Sequence, residues 1–143
     1  MGLDMYLNAK KYLWQDDKQA EAINEALMDA KGMKAKVIVV EAAYWRKANH
    51  IHNWFVENVQ QGVDDCNSYF VSRPNLEVLL NTCKNVLSNK EKADDLLPIA
   101  SGFFFGSTEY NKRYFDETER TVALIQKTLE LPDDWDFEYQ SSW

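Results

Sequence analysis

The sequence predicts an α+β fold: a small, mainly antiparallel sheet packed by several α-helices, in a single domain spanning residues 1–143. Three observations point there. Leu3, Met5 and Leu7 alternate with Asp4, Tyr6 and Asn8, the period of two of a half-buried strand. Val37 to Val40 form an unbroken β-branched run. Elsewhere apolar residues recur at intervals of three and four, so helices outnumber strands. A chain of 143 residues can bury a sizeable core without disulfide or metal staples. No internal repeat, low-complexity tract or linker divides it.

Taken in order, the first strand starts almost at the first residue. Asp16 or Asp17 caps a helix over 18–30, with Ala22, Ile23, Ala26, Leu27 and Ala30 facing inward and Gly32 ending it. Residues 35–43 read as a strand buried on both faces, hence central. It runs into the stretch that organises the chain, a helix from Tyr44 to Val59. Tyr44, Ala48, Ile51, Phe55 and Val59 form one stripe, widened by Trp45, His52 and Val56, while Arg46, His50, Asn53 and Glu57 lie opposite. So wide an apolar face places that helix at the centre, covered by other elements.

Residues 60–67 form a polar loop and Tyr69–Val71 a short strand. Ser72 caps a helix with Pro74 in its first turn and Leu76, Leu79, Leu80, Cys83, Val86 and Leu87 inward. A short segment ends in Leu96-Leu97-Pro98. After the apolar loop Gly102–Thr108, Thr108 caps a long helix over 109–130, with Tyr110, Tyr114, Val122, Ile125 and Leu129 inward. Residues 136–140 alternate Phe137 and Tyr139 with polar neighbours, the pattern of a final edge strand.

The net charge is −7 and lies entirely in the second half: residues 1–60 hold eight basic and eight acidic side chains, residues 61–143 eight and fifteen. The acids cluster at Asp64-Asp65, at Asp94-Asp95, at Asp116-Glu117 with Glu119, and at Asp133-Asp134 with Asp136 and Glu138. Such a surface repels nucleic acid and anionic membranes and attracts basic partners, although solubility alone also explains it. There is no signal-peptide pattern and no apolar run long enough to span a bilayer, which predicts a cytoplasmic protein with free thiols.

Four patterns could carry chemistry. The soft metal ligands are His50, His52, Cys66 and Cys83. Two histidines two apart on a helix point in different directions. The better-matched zinc trio is therefore His52, Cys66 and Cys83, with Asp64 or Asp65 as a fourth ligand; against it, Cys83 sits where a core cysteine would. His50 or His52 could serve as a general base and Cys66 as a nucleophile, but no triad or oxyanion loop accompanies them. The Gly102–Thr108 loop lacks the lysine and spacing of a P-loop, and its glycines suit tight backbone packing. Arg46 and Lys47, with Asn49, His50 and Asn53, could grip a carboxylate or phosphate. Arg46, His52 and Asn53 would then line a ligand pocket with the Gly102–Thr108 loop.

Four stretches together resemble a family of small uncharacterised proteins of phages, prophages and the bacteria that carry them. They are Met1-Gly-Leu-Asp-Met-Tyr-Leu7; Tyr44-Trp-Arg-Lys-Ala-Asn49 followed by Ile51-His52 and Trp54-Phe-Val56; Gly102-Phe-Phe-Phe-Gly-Ser-Thr108; and Tyr139-Gln-Ser-Ser-Trp143. The resemblance spans essentially the full chain and implies recurring positions at Cys66 and Cys83. A phage context together with the acidic second half suggests a counter-defence protein of the anti-CRISPR kind, an interaction protein rather than an enzyme. Such a protein would occupy a basic surface of a host nuclease, such as a Cas effector, through Asp94, Asp95, Asp116, Glu117, Glu119, Asp133, Asp134 and Asp136. The alternative is a small ligand-binding protein or enzyme built on the Tyr44–Val59 helix, with or without zinc.

Overall fold

The computed structural model describes residues 2–14, 16–102 and 106–143. Phe103, Phe104 and Phe105, at the heart of the apolar loop, lie outside the described residues. Among those described, the chain forms four strands and five α-helices. In order these are β1 (Asp4–Tyr12), α1 (Lys18–Ala26), β2 (Val37–Arg46), α2 (Asn49–Asn58), β3 (Tyr69–Val71), α3 (Arg73–Ser88), α4 (Ala93–Leu96), α5 (Lys112–Leu129) and β4 (Trp135–Ser142). The expected α+β class holds. The sheet has the order β2-β1-β4-β3, with every pair antiparallel.

Two strands change places relative to expectation. β2 lies at an edge rather than at the centre, and Val37, Val39 and Val40 are 41%, 50% and 39% exposed. A β-branched run reports backbone preference, not which strands will flank it. β4 was expected at the edge and instead pairs with both β1 and β3. Its alternation buries Phe137, Tyr139 and Ser141 beneath the helices, level with Met5, Leu7 and Ala9 of β1.

The helix expected from Tyr44 begins only at Asn49. Tyr44, Trp45 and Arg46 complete β2, opposite Tyr6, Met5 and Asp4. Lys47 breaks the chain with a left-handed φ of 55°, its N–H donating to the Leu3 carbonyl. Once started, α2 is central as expected: Asn49 to Val56, apart from Asn53, are buried. His50, assigned by periodicity to the polar side, is among them. The other helices cap as their sequences suggest or nearly so. Asp17 caps α1 and Ser72 caps α3. For α5 the cap is Asn111 rather than Thr108, which leaves Tyr110 outside the helix and 40% exposed.

α1 departs further. Only Ala20 is buried, and Leu27, expected inward, is 44% exposed. α5 buries Tyr114 and Ile125 as expected but otherwise Thr118, Thr121 and Thr128. Each of those threonines donates its hydroxyl to the carbonyl four residues back, at 2.7–2.8 Å. At the centre, the Tyr139 ring stacks on Phe55 with centroids 3.9 Å apart and planes 6° from parallel.

Candidate functional site

α2 presents its two histidines to different surroundings, and each is hydrogen-bonded to residues distant in sequence. His52 is wholly buried. Its Nδ1 lies 2.7 Å from the Tyr139 hydroxyl and its Nε2 2.9 Å from Asp64 Oδ1. A carboxylate only accepts, so the proton sits on Nε2 and the Tyr139 hydroxyl donates to bare Nδ1. The indole N–H of Trp143 donates to the same Asp64 oxygen at 3.2 Å. Burial lowers the His52 pKa, with Asp64 opposing, so the ring stays neutral near neutral pH. Burial also pushes the Tyr139 phenol well above its usual value, keeping it a donor.

This chain of donors fastens the loop before β3 and the C-terminal end of β4 to the central helix. Tyr139→Phe keeps the stacked ring but leaves Nδ1 buried without its donor. That substitution is expected to cost about 1–3 kcal/mol in urea unfolding. A loss below about 0.5 kcal/mol would mean that the hydroxyl contributes nothing net.

His50 is equally buried and points the other way. Its Nε2 lies 3.0 Å from Thr118 Oγ1, and that oxygen already gives its proton to the Tyr114 carbonyl. Nε2 is therefore the donor, and Nδ1 is unprotonated. The ring lies 4.1 Å from that of Tyr114, whose hydroxyl donates to the Leu97 carbonyl. Burial depresses the His50 pKa to about 3. A base so weak is poorly matched to proton abstraction near neutrality. The cavity beside it, bounded by Lys47, Asn49, Ser107, Asn111 and Arg113, measures only about 20 Å³, room for about one water. Asn49 donates to the Ser107 carbonyl at 2.7 Å. Gly106, at φ 90°, packs so closely on Lys47 that a Cβ would lie 3.1 Å from its side chain. The glycine thus serves close backbone packing.

The proposed zinc trio does not assemble. Cys83 faces the core from α3 and is fully buried, which raises its thiol to about 12 and keeps it from acting as a thiolate. Cys66 is exposed, and both His52 nitrogens are engaged. Among the described residues no three His, Cys, Asp or Glu side chains form a group able to hold a metal. The proposed ligand set is likewise dispersed. Arg46 is exposed at the end of β2, 3.9 Å from Asp4. His52 is enclosed in its network. Asn53 donates to the Pro98 carbonyl and borders a groove of about 280 Å³ with His50, Trp54, Val78 and Leu96.

The eight acidic residues fall into three places. Asp94 and Asp95 lie on α4, next to the Leu97 carbonyl that receives Tyr114. Asp116, Glu117 and Glu119 lie on α5, where Lys112, Arg113, Arg120 and Lys127 outnumber them. Asp116 pairs with Lys112 and Glu117 with Arg120, so this part of the helix is not an acidic surface. Asp133 and Asp134 occupy the turn from α5 to β4, beyond the far end of a helix about 27 Å long, and Asp136 lies in β4 itself, opposite Lys10 of β1. Asp133 is fully exposed and Asp134 more than half so. Arg73 reaches Asp133 only at 3.8 Å, and Lys11 reaches Asp134 at 3.3 Å. No helix among the described residues is long and apolar enough to cross a membrane.

Comparison of the chain with protein-family models, with curated proteins and with solved structures finds no match.

Proposed function

We propose that this is a cytoplasmic, phage-associated interaction protein that inhibits a host defence nuclease, in the manner of an anti-CRISPR, by occupying a basic surface that otherwise receives DNA. The reading is supported chiefly by the acids at the start of β4. There three carboxylates stand within four residues, Asp133 and Asp134 in the turn with surface ion pairs and Asp136 on the strand opposite Lys10. The two histidines favour binding over catalysis, since one is a very weak base and the other is locked between Tyr139 and Asp64. Asp94 and Asp95 offer a second contact. The α5 acids share their helix with four basic side chains and contribute less.

The test is inhibition by charge-reversed protein. Asp133→Lys and Asp134→Lys together remove two surface ion pairs, each worth at most about 1 kcal/mol, and Asp136, opposite Lys10 on β1, is changed only to Asn, so the fold survives. Binding to purified Cas nuclease–guide complexes is expected to weaken by at least roughly tenfold, and more steeply at low salt. In cells carrying the corresponding CRISPR system, the wild type is expected to restore phage plaquing and the variant to fail. Wild-type protein that restores plaquing against no nuclease type, or a folded variant that inhibits fully, would overturn the reading.

A further inference from the structure

The longest free edge of the sheet is β2, and it is poorly protected. The opposite edge, β3, has three residues, whereas β2 has ten. Its C-terminal end is covered by α5: Arg120 donates to the Tyr44 carbonyl and the Trp45 indole donates to Thr121. From Val37 to Glu41 it pairs on one side only, with β1. That stretch carries four β-branched residues and no charge before Glu41. A long, flat, apolar edge is a template for another strand, and folded proteins usually blunt it with charge, proline or a covering element. Charge, proline and a covering element are absent between Val37 and Val40, and the one irregularity of the β1–β2 pairing, at Ala42, lies beyond them.

We propose that this edge is a dimer seam, in which β2 pairs antiparallel with β2 of a second copy of the chain. The charge pattern favours self-pairing. Lys34 and Lys36 precede the bare stretch and Glu41 follows it. Antiparallel pairing brings the lysine-bearing lead-in of each copy to the Glu41 end of the other, whereas parallel pairing would bring like ends together. A two-fold axis normal to the sheet keeps each face on its own side, so only residues of the same face can oppose one another. Centring on Val39 satisfies this: Val39 meets Val39 of the second copy, and Ile38 meets its Val40. On the helical side, a groove lined by Val40, Glu41, Ala42, Lys127, Thr128 and Leu131 borders the same edge. The net charge of −7 opposes association, but at physiological salt it is screened over about 8 Å.

Sedimentation equilibrium at about 100 μM, a hundredfold above a micromolar Kd, reads the outcome directly. The wild type is expected at twice 16.7 kDa and Val39→Lys at 16.7 kDa, with unchanged circular dichroism because the side chain is half exposed. Val39→Glu is expected to be monomeric as well, and an equal mixture of the two variants is expected to return to the dimer mass, since Lys and Glu then oppose across the axis. A monomeric wild type overturns the seam and leaves the edge to an extended peptide of another protein. A Val39→Lys variant that stays dimeric overturns it too, by placing the interface elsewhere. Failure of the mixture to recombine overturns the antiparallel register. None of these outcomes depends on nuclease inhibition.

Discussion

Replacing Trp45 with alanine is expected to remove about 4 kcal/mol of stability, the cost of deleting a fully buried indole and leaving a cavity. Against a total of about 5–15 kcal/mol, that brings the protein close to unfolding. The effect is large because Trp45 joins three elements. It belongs to β2, opposite Met5. Its ring meets Phe55 of α2 at 6.0 Å, and its N–H donates to Thr121 Oγ1 of α5 at 2.9 Å. Trp45→Phe should cost about half as much: most of the apolar volume returns, and Thr121 still donates to the Glu117 carbonyl. Trp14→Ala serves as the control, because that ring is 77% exposed and its loss should stay within about 0.5 kcal/mol. Urea titration of the three variants decides the matter. A Trp45→Ala loss under about 1.5 kcal/mol would show that the sheet and the two helices hold together without it.

The position of Trp45 also shows what the sequence could and could not disclose. Tyr44, Trp45 and Arg46 fit a helical stripe continuing to Val59 as well as they fit the end of a strand. Local periodicity cannot choose between them, and the choice falls to pairing with Tyr6, Met5 and Asp4, forty residues away in the chain. The same non-local pairing put β4 inside the sheet and β2 at its edge. Where one element's own pattern sufficed, as with the Ser72 cap and Leu76, Leu79, Cys83 and Val86 of α3, expectation and structure coincide, although Leu80 and Leu87 are only half-buried.

The inner face of α5 was hidden for a different reason. Thr118, Thr121 and Thr128 read as polar, yet each satisfies its hydroxyl within its own helix and offers a methyl group to the core. The spacing Tyr114, Thr118, Thr121, Ile125, Thr128 is helical throughout, and counting threonine as apolar would have exposed it. The His52 network left no such signal, since His52, Asp64, Tyr139 and Trp143 converge only through the fold.

Acid is expected to destabilise the protein well before its carboxylates protonate, and His50 is the main cause. In the unfolded chain its imidazole titrates near 6.5; in the fold, burial alone holds it at about 3. Between those values the unfolded state binds a proton that the folded state refuses, so stability falls as pH falls. The loss begins near pH 6.5 and grows by about 1.4 kcal/mol per pH unit, reaching about 3 kcal/mol at pH 4.5. His52, also lowered by burial but supported by Asp64, adds in the same direction. Asp65, whose pKa is depressed by its bonds to Asn67 and Tyr69, contributes stability that disappears only as pH falls below the ordinary carboxylate range. The window from pH 6.5 to 4.5 therefore isolates the histidines. His50→Gln keeps a donor for Thr118 but cannot titrate. It should lower stability at pH 7.5 by about 1 kcal/mol through imperfect packing, while most of the slope below pH 6.5 is lost. Thermal unfolding of both proteins at half-unit pH steps gives the comparison. If His50→Gln loses stability with acid as steeply as the wild type, His50 takes up its proton in the folded state and its burial beside Tyr114 and Thr118 carries no penalty.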